Sequence, residues 1–163
     1  MDRIDKTNYY LDIAETILER GTCLRKNYGC IIVKNDEIIS TGYSGAPRNR
    51  KNCLDLGYCV KKKFYPDLRH GGYDACRSVH AEQNAMLSAA RKDMIGGYMY
   101  LVGIRKDTGN YEEGAKPCQM CRKLIINSGI ERVYVRIDKT HYEEILVDSW
   151  IENDDLLTGK ITY

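Results

Sequence analysis

Apolar residues recur at helical spacing between Thr7 and Arg20, and Gly21 is placed to end the helix that this pattern predicts. Two β-rich runs follow, Cys30 to Val33 and Ile38 to Ile39. Asn35-Asp36 separates them, and such a pair between apolar runs is typical of a β-hairpin. The N-terminal part of the chain therefore predicts one amphipathic helix and one hairpin.

Apolar runs and helix signals alternate again after a long interruption. The periodicity predicts a helix from about Ser78 to Arg91. Pro117 is placed as the first residue of another helix, which ends at Gly129. Strands and a last short helix capped by Asp148 complete the pattern: Tyr98 to Val102, Val133 to Val135, Ile145 to Val147, then the segment around Trp150.

This order of elements, with strands and helices alternating after a hairpin, indicates an α/β fold with a partly parallel sheet. At 163 residues the chain is predicted to be one domain, 1–163. Residues 42–76 contain glycines, prolines, basic residues and cysteines without apolar periodicity. Because this insert is too long for an ordinary loop, we expect something to hold it in place.

The composition is typical of a globular protein, with 43% hydrophobic and 29% charged residues. A net charge of +2 does not argue for a nucleic-acid partner. No apolar run has the length of a membrane span, and the N-terminus lacks a secretory signal. Seven cysteines are an odd number, and Cys-x-x-Cys with histidines favours metal binding over disulfides. These features predict a protein of the reducing cytoplasm.

Two short motifs carry the strongest chemical signal, H-A-E at residues 80–82 and P-C-Q-M-C at residues 117–121. His80, Cys118 and Cys121 supply three zinc ligands, and a catalytic zinc keeps the fourth position for water, whose pKa falls to roughly 7. Glu82 is then the general acid/base, as in the H-x-E and P-C-x-x-C signature of zinc deaminases. The motifs predict attack of the activated water on C4 of a cytosine ring. Glu82 moves the proton to N3 and then to the departing amine.

With C-L-R at 23–25 and G-Y-S-G at 42–45, the motifs H-A-E-Q-N-A and P-C-Q-M-C resemble those of the deoxycytidylate (dCMP) deaminase family. This family includes deaminase-like proteins of bacterial competence operons, and the resemblance covers about residues 7–137. It implies a cytidine deaminase-like three-layer sandwich, a mixed five-stranded sheet with helices on both faces. It also implies hydrolysis of dCMP to dUMP and ammonia, which supplies dUMP for thymidylate synthesis.

The resemblance further implies a homo-oligomer, with a hexamer favoured, that dCTP activates and dTTP inhibits; Mg²⁺ would accompany a dCTP effector. Substrate contacts are assigned to Arg25, Ser44 and Ala81. Arg25 matches the family's basic position and is the first candidate for the 5′-phosphate, ahead of Lys26 and Arg48. The chain departs from the family at Ser44, where an Asn that hydrogen-bonds the sugar is usual. A shorter serine still forms hydrogen bonds, so recognition of the sugar could differ.

A second zinc is also implied, since some family members clamp the equivalent insert with a structural zinc. A closed Cys₃His set is a usual structural zinc site, and here it would hold the insert at about 42–76. Cys59 is the rival for one position, while Cys30, inside an apolar run, is expected in the core. Free thiols and a surface histidine remain the alternative. The candidate ligands are Cys23, Cys53, His70 and Cys76.

Other interpretations stay open on the sequence alone. The motifs define the reaction better than the substrate, so CMP or dCTP is an alternative to dCMP. A non-catalytic nucleotide sensor or competence protein on the same fold is another, although such a protein has no need of Glu82. The basic and aromatic run from Lys61 to Tyr65 could serve as an RNA surface. The expected arrangement is a solvated charge run beside a buried pair, Phe64 and Tyr65, and no nucleic-acid partner is predicted.

Overall fold

A single mixed β-sheet organises the chain, whose computed structural model describes residues 2–68 and 72–159. Its strands are β1 (Lys26–Lys34), β2 (Glu37–Tyr43), β3 (Tyr98–Arg105), β4 (Arg132–Arg136) and β5 (Tyr142–Leu146). They lie in the order β2-β1-β3-β4-β5. β3 and β4 are parallel, and the other neighbouring pairs are antiparallel. The predicted partly parallel sheet is confirmed.

Helices connect the strands. Within the described residues the α-helices are α1 (Lys6–Leu18), α2 (Cys53–Leu56), α3 (Val60–Phe64), α4 (Ala81–Leu87), α5 (Arg91–Met94), α6 (Gln119–Ser128) and α7 (Asp148–Glu152). Short 3₁₀ helices cover Tyr73–Ala75 and Asp155–Thr158. Across the described ranges, every helix is too short or too polar to cross a membrane. The predicted hairpin joins β1 to β2 through Asn35 and Asp36, whose φ angles of 50° and 64° suit a tight hairpin turn.

Alternate residues of the central strands point to two different helix layers. On one face Ile31 and Tyr100 pack with buried residues of α1. On the other face Cys30 and Leu101 pack with buried residues of α4 and α6. This alternation, which follows from the two-residue period of a strand, gives the predicted three layers and places Cys30 in the core.

Glycines allow two helices to approach the sheet closely. A Cβ at Gly29 in β1 would collide with the carbonyl oxygen of Ala14 in α1, and a Cβ at Gly42 in β2 would collide with that of Ala81 in α4. Any larger residue at Gly42 would push α4 outward. The first glycine of the G-Y-S-G motif therefore sets the depth of the helix that follows His80.

The helix predicted over residues 78–91 is shorter in the structure. Val79 pairs with Gly45 in an isolated β-bridge, and His80 has an extended backbone (φ −69°, ψ 151°) as the N-cap residue. The β-bridge holds the chain extended until His80, so α4 begins one residue later. Past α4 the chain turns, and α5 forms a separate helical turn.

Two predicted helix starts are also displaced. Pro117 lies before the N-cap residue Cys118 rather than inside the first turn of α6. Asp148 is the first residue of α7, whose N-cap is Val147 without a side-chain hydrogen bond. Both differences move an element boundary by one or two residues and leave the element itself as predicted.

The prediction of a buried Phe64–Tyr65 pair is wrong. These side chains are 58% and 51% exposed. α3 has five residues, none of them buried, and Pro66 follows almost directly, so the segment is too short to form a covered face. Instead the Phe64 ring lies edge-on to Tyr58 at 6.3 Å, and the Lys63 ammonium lies 3.9 Å from the centre of the Tyr58 ring.

Candidate active site

The three predicted ligands of the catalytic zinc come together at the N-termini of two helices. His80 is the N-cap residue of α4, Cys118 is the N-cap residue of α6, and Cys121 lies in the first turn of α6. His80 Nδ1 is 3.6 Å from Cys118 Sγ and 3.5 Å from Cys121 Sγ. All three ligand atoms lie within 4.8 Å of one another.

These separations fit one tetrahedral cation. An imidazole nitrogen and a thiolate sulfur bound to zinc at about 2.05 and 2.3 Å, at tetrahedral angles, lie about 3.6 Å apart. The two observed nitrogen–sulfur distances match this value. In the part of the chain that the structure describes, no other set of three His, Cys, Asp or Glu residues meets the same spacing. The donor set leaves one tetrahedral position for a further ligand.

The thiols of Cys118 and Cys121 form a tightly coupled pair. A hydrogen bond from the Cys121 thiol, with a contact to His80, holds the pKa of Cys118 well below its usual range. Donating that hydrogen bond raises the pKa of Cys121. A bound cation would need both sulfurs as thiolates, because metal binding requires deprotonated thiols.

Glu82 lies beside this group but outside it. The side chain is in the first turn of α4 and the residue is only 5% exposed. Burial raises the pKa of the Glu82 carboxyl and outweighs the opposite effect of the His80 charge. A buried carboxyl with a raised pKa next to three metal-ligating side chains is suited to accept and return a proton near neutral pH.

The two helix N-termini are held together by Gln83. Its Oε1 accepts a hydrogen bond from the backbone N–H of His80 at 2.9 Å, and its Nε2 donates to Met120 Sδ at 3.7 Å. Sequence reasoning missed this residue. A signal was available, since Gln three residues after the N-cap is the usual capping-box position.

One wall of the site is aromatic. The Tyr73 ring stands edge-on to the imidazole of His80, with centroids 4.6 Å apart and an interplanar angle of 89°. Lys61 Nζ lies 5.8 Å from the centre of the Tyr73 ring. The insert therefore reaches the metal-ligating histidine through Tyr73.

The predicted substrate contacts lie in three different environments. Arg25 is exposed, and its backbone N–H donates to Cys23 Sγ at 3.4 Å. Ser44 is 6% exposed, and its Oγ accepts a hydrogen bond from the Tyr28 backbone N–H at 3.0 Å. This bond uses one lone pair of Oγ and leaves the hydroxyl proton for another acceptor. Ala81 is fully buried at the start of α4.

Among the described residues, the ligand atoms of the second candidate metal set do not come as close together as those of the first set. His70 lies outside the described residues. Burial raises the pKa of the Cys53 thiol, with smaller contributions from the neighbouring thiols of Cys23, Cys59 and Cys76. Cys59, the rival ligand, is therefore among the three thiols that act on Cys53.

The sequence was then compared with known proteins. The family described as the cytidine and deoxycytidylate deaminase zinc-binding region matches residues 4–137. The chain belongs to this family. It is 34% identical to the deoxycytidylate deaminase of Mycobacterium phage D29 over 137 residues, which are 82% of this chain and 95% of the phage protein.

Two further relatives match shorter parts of their own length. The deoxycytidylate deaminase of Saccharomyces cerevisiae is 32% identical over 77% of this chain and 36% of the yeast protein. The ComE operon protein 2 of Bacillus subtilis is 31% identical over 86% of this chain and 65% of that protein. The chain thus spans about a third of the yeast relative and about two thirds of the competence protein, and the predicted family is confirmed.

A solved structure supports the fold. The dCMP deaminase of cyanophage S-TIM5, in complex with dCMP and dUMP, has a TM-score of 0.56 at 24% identity, covering 82% of this chain and 84% of that chain. The cytidine deaminase-like fold expected from the sequence is confirmed.

Proposed function

We propose that the chain catalyses hydrolytic deamination of dCMP to dUMP and ammonia with a zinc ion held by His80, Cys118 and Cys121. The observation that carries this proposal is the buried carboxyl of Glu82 beside the three clustered ligands. A structural metal site has no use for a buried base. Family membership and the similarity to named deoxycytidylate deaminases favour dCMP as the substrate.

Glu82 is the residue that moves protons in this proposal. Zinc, when bound, would supply the Lewis acidity that lowers the pKa of a water molecule to roughly 7. Glu82 would take a proton from the attacking water and give it to N3 of the cytosine ring. It would then take the second proton, from the hydroxyl newly bound to C4, and give it to the departing amine as the C4–N bond breaks. Because burial raises its pKa, the carboxyl can hold each proton between the transfers. Gln83 keeps His80 in position through the His80 backbone N–H.

The substrate contacts belong to the same proposal. Within the described residues the Arg25 guanidinium makes no hydrogen bond or ion pair, so it is available to bind the 5′-phosphate; Lys26 already pairs with Glu112 at 2.9 Å. Ser44 would direct its hydroxyl proton to the sugar. Ala81 is fully buried, so the contact predicted there requires substrate binding to open its surface toward the base. Arg48 is exposed and remains a weaker candidate for the phosphate.

A second, structural zinc is proposed for the insert, and the placement of the cysteines supports it. Cys53 begins α2, Cys59 is the N-cap residue of α3, and Cys76 ends the 3₁₀ helix at Tyr73–Ala75. Each short helical turn of the insert thus has a thiol at one end, and Cys23 lies near Cys53 from the loop before β1. Cys53 is the one buried residue in these three turns. Because they contribute so little to the core, a metal clamp would stabilise them. The ligands would be Cys23, Cys53 and His70, with Cys76 or Cys59 as the fourth.

Single substitutions should separate these two ligand sets. We expect Cys53→Ser to lower the zinc content by one equivalent per chain and to reduce thermal stability. Of Cys76→Ser and Cys59→Ser, only the variant that removes the fourth ligand should lose the same equivalent, so each serves as the control for the other. Zinc is measured on purified protein by atomic emission. Unchanged zinc in Cys53→Ser would remove the second site from the proposal.

The remaining expectations rest on the family resemblance. We propose one domain over 1–163, a cytoplasmic homohexamer, activation by dCTP with Mg²⁺, inhibition by dTTP, and a supply of dUMP for thymidylate synthesis. Neither nucleic acid nor membrane is proposed as a partner. Size-exclusion chromatography with light scattering, with and without dCTP and Mg²⁺, measures the assembly directly.

Ammonia release from a substrate panel tests the proposed function. The panel contains dCMP, dCTP, CMP, deoxycytidine, cytosine and a tRNA anticodon stem, with zinc determined on the same sample. We expect the highest kcat/KM for dCMP. A higher kcat/KM for CMP or dCTP would change the proposed substrate and leave the proposed deamination chemistry in place. If no compound released ammonia with dCTP and Mg²⁺ present and zinc bound, a nucleotide-sensing role would be favoured instead.

A further inference from the structure

The tail, defined as residues 138–159, turns back to the helix that carries two of the metal-ligating side chains. It lies beyond the family match, which ends at residue 137. Trp150 of α7 packs against the buried residues between the sheet and the helices α4 and α6, on the face that holds the active site. The following 3₁₀ helix brings Asp155 to the first turn of α6, where Gln119 Nε2 donates to its two carboxylate oxygens at 3.1 and 3.0 Å.

Arg122 closes a set of contacts around that turn. Its Nε donates to the Pro117 carbonyl oxygen at 2.9 Å, and its Nη1 reaches Asp155 Oδ2 at 3.5 Å. Its guanidinium carbon lies 5.3 Å from the centre of the Trp150 ring. The contacts therefore join positions immediately before, between and after Cys118 and Cys121.

The environment of Gln119 makes this contact important. Gln119 is only 9% exposed, so its two hydrogen bonds to Asp155 are largely shielded from competition by water. Its side chain extends from the residue between Cys118 and Met120, so its hydrogen bonds act on the backbone that sets the separation of the two thiols. Gln83 holds the same turn from the opposite side through Met120.

We propose that Asp155 is a positioning residue for the Cys118–Cys121 turn, holding the two thiolates at the separation that the metal requires. The inference rests on the proposed function only for the assignment of the metal ligands. Groups that orient metal ligands from behind typically change metal affinity or activity by about 10–100-fold when they are removed. Asp155 acts through Gln119 and Arg122 and does not touch the substrate.

The test is zinc release to a chelator from the purified protein. Asp155→Asn removes the charge that faces Arg122 and one of the two oxygens that accept from Gln119. We expect zinc to leave the catalytic site about tenfold faster, with a lower kcat for dCMP and a KM within about twofold of the unmodified protein. The catalytic-site phase is the one missing from Cys118→Ser, which separates it from a second zinc.

Asp154→Asn is the matched control, because it makes the same change one residue earlier at an exposed position. It should release zinc at the unmodified rate. Asp155→Glu keeps the carboxylate and should recover most of the slow release. Equal release from Asp155→Asn and Asp154→Asn, whatever their Tm values, would show that the tail only fastens the fold. Zinc release is measured without substrate. If the protein did not deaminate dCMP but Asp155→Asn still released zinc faster, the proposed substrate would be wrong and the role of Asp155 would stand.

Discussion

Replacement of Glu82 by glutamine is expected to lower kcat for dCMP by about 10²–10⁴-fold, the usual contribution of a general acid/base. Glutamine has nearly the same shape but cannot accept and return a proton. Glu82 lies outside the group of three clustered ligands, so the zinc content should not change. Steady-state ammonia release, zinc content and thermal unfolding measured on one preparation check the three parts of this expectation.

The control for this variant is Glu131→Gln, the same substitution at an exposed position after α6. It should leave kcat and KM unchanged. A Glu82→Gln protein that keeps kcat within about threefold would exclude proton transfer by this carboxyl. A protein that loses zinc together with activity would instead place Glu82 among the metal ligands. Only loss of kcat with zinc and Tm retained agrees with the proposed role.

The three clustered ligands, His80, Cys118 and Cys121, were predictable because they belong to two short local sequence motifs. The spacing of the H-x-E and P-C-x-x-C motifs places side chains at helix N-termini, and the hydrophobic pattern predicts those helices. The order of strands and helices also predicted an α/β fold with a partly parallel sheet, and the family resemblance implied the three layers. Boundaries were less predictable, because the start of α4 depends on a β-bridge between Val79 and Gly45, which are far apart in the chain.

Long-range polar contacts left no signal in the sequence. Asp155 is one acidic residue in a tail without periodicity, and its partner Gln119 is 36 residues away. Phe64 and Tyr65 were expected to be buried on the basis of residue type, yet burial depends on whether another element covers them. Residue type is no guide to Arg136 either, because a charged residue at a strand end is usually exposed, and this one is buried.

Arg136 forms the most deeply buried ion-pair network among the described residues, on the sheet face opposite the active site. Its side chain is fully buried at the end of β4, and Nη1 donates to Asp12 Oδ1 and Glu15 Oε2 of α1, both at 2.7 Å. Nη2 donates to the carbonyl oxygen and Oδ1 of Asn8 at 3.3 and 3.2 Å. The network therefore fastens α1 to the end of β4.

The double variant Asp12→Asn, Glu15→Gln is expected to reduce the free energy of unfolding by roughly 3–5 kcal/mol, because it leaves the buried guanidinium charge without a counter-charge. Arg136→Met should cost less, since it removes the buried charge and leaves two partly exposed carboxylates. The triple variant should be more stable than the double variant. Urea unfolding of the four proteins measures this non-additivity.

Acid pH should act on the same network, and its direction follows from Asp12. Burial alone would raise the pKa of Asp12, but the hydrogen bonds and charges of Arg136 and, to a smaller extent, Lys139 outweigh burial and lower it. A carboxyl whose pKa is lower in the folded state stabilises the fold above its unfolded pKa, and this contribution is lost as pH falls through the folded value. The unmodified protein should therefore lose stability below about pH 4 more steeply than the double variant. Asp107→Asn, which breaks the exposed pair with Arg105, should leave the urea unfolding midpoint nearly unchanged. If the double variant cost no more than this control, Arg136 would not depend on its carboxylates, and packing alone would hold α1 on the sheet.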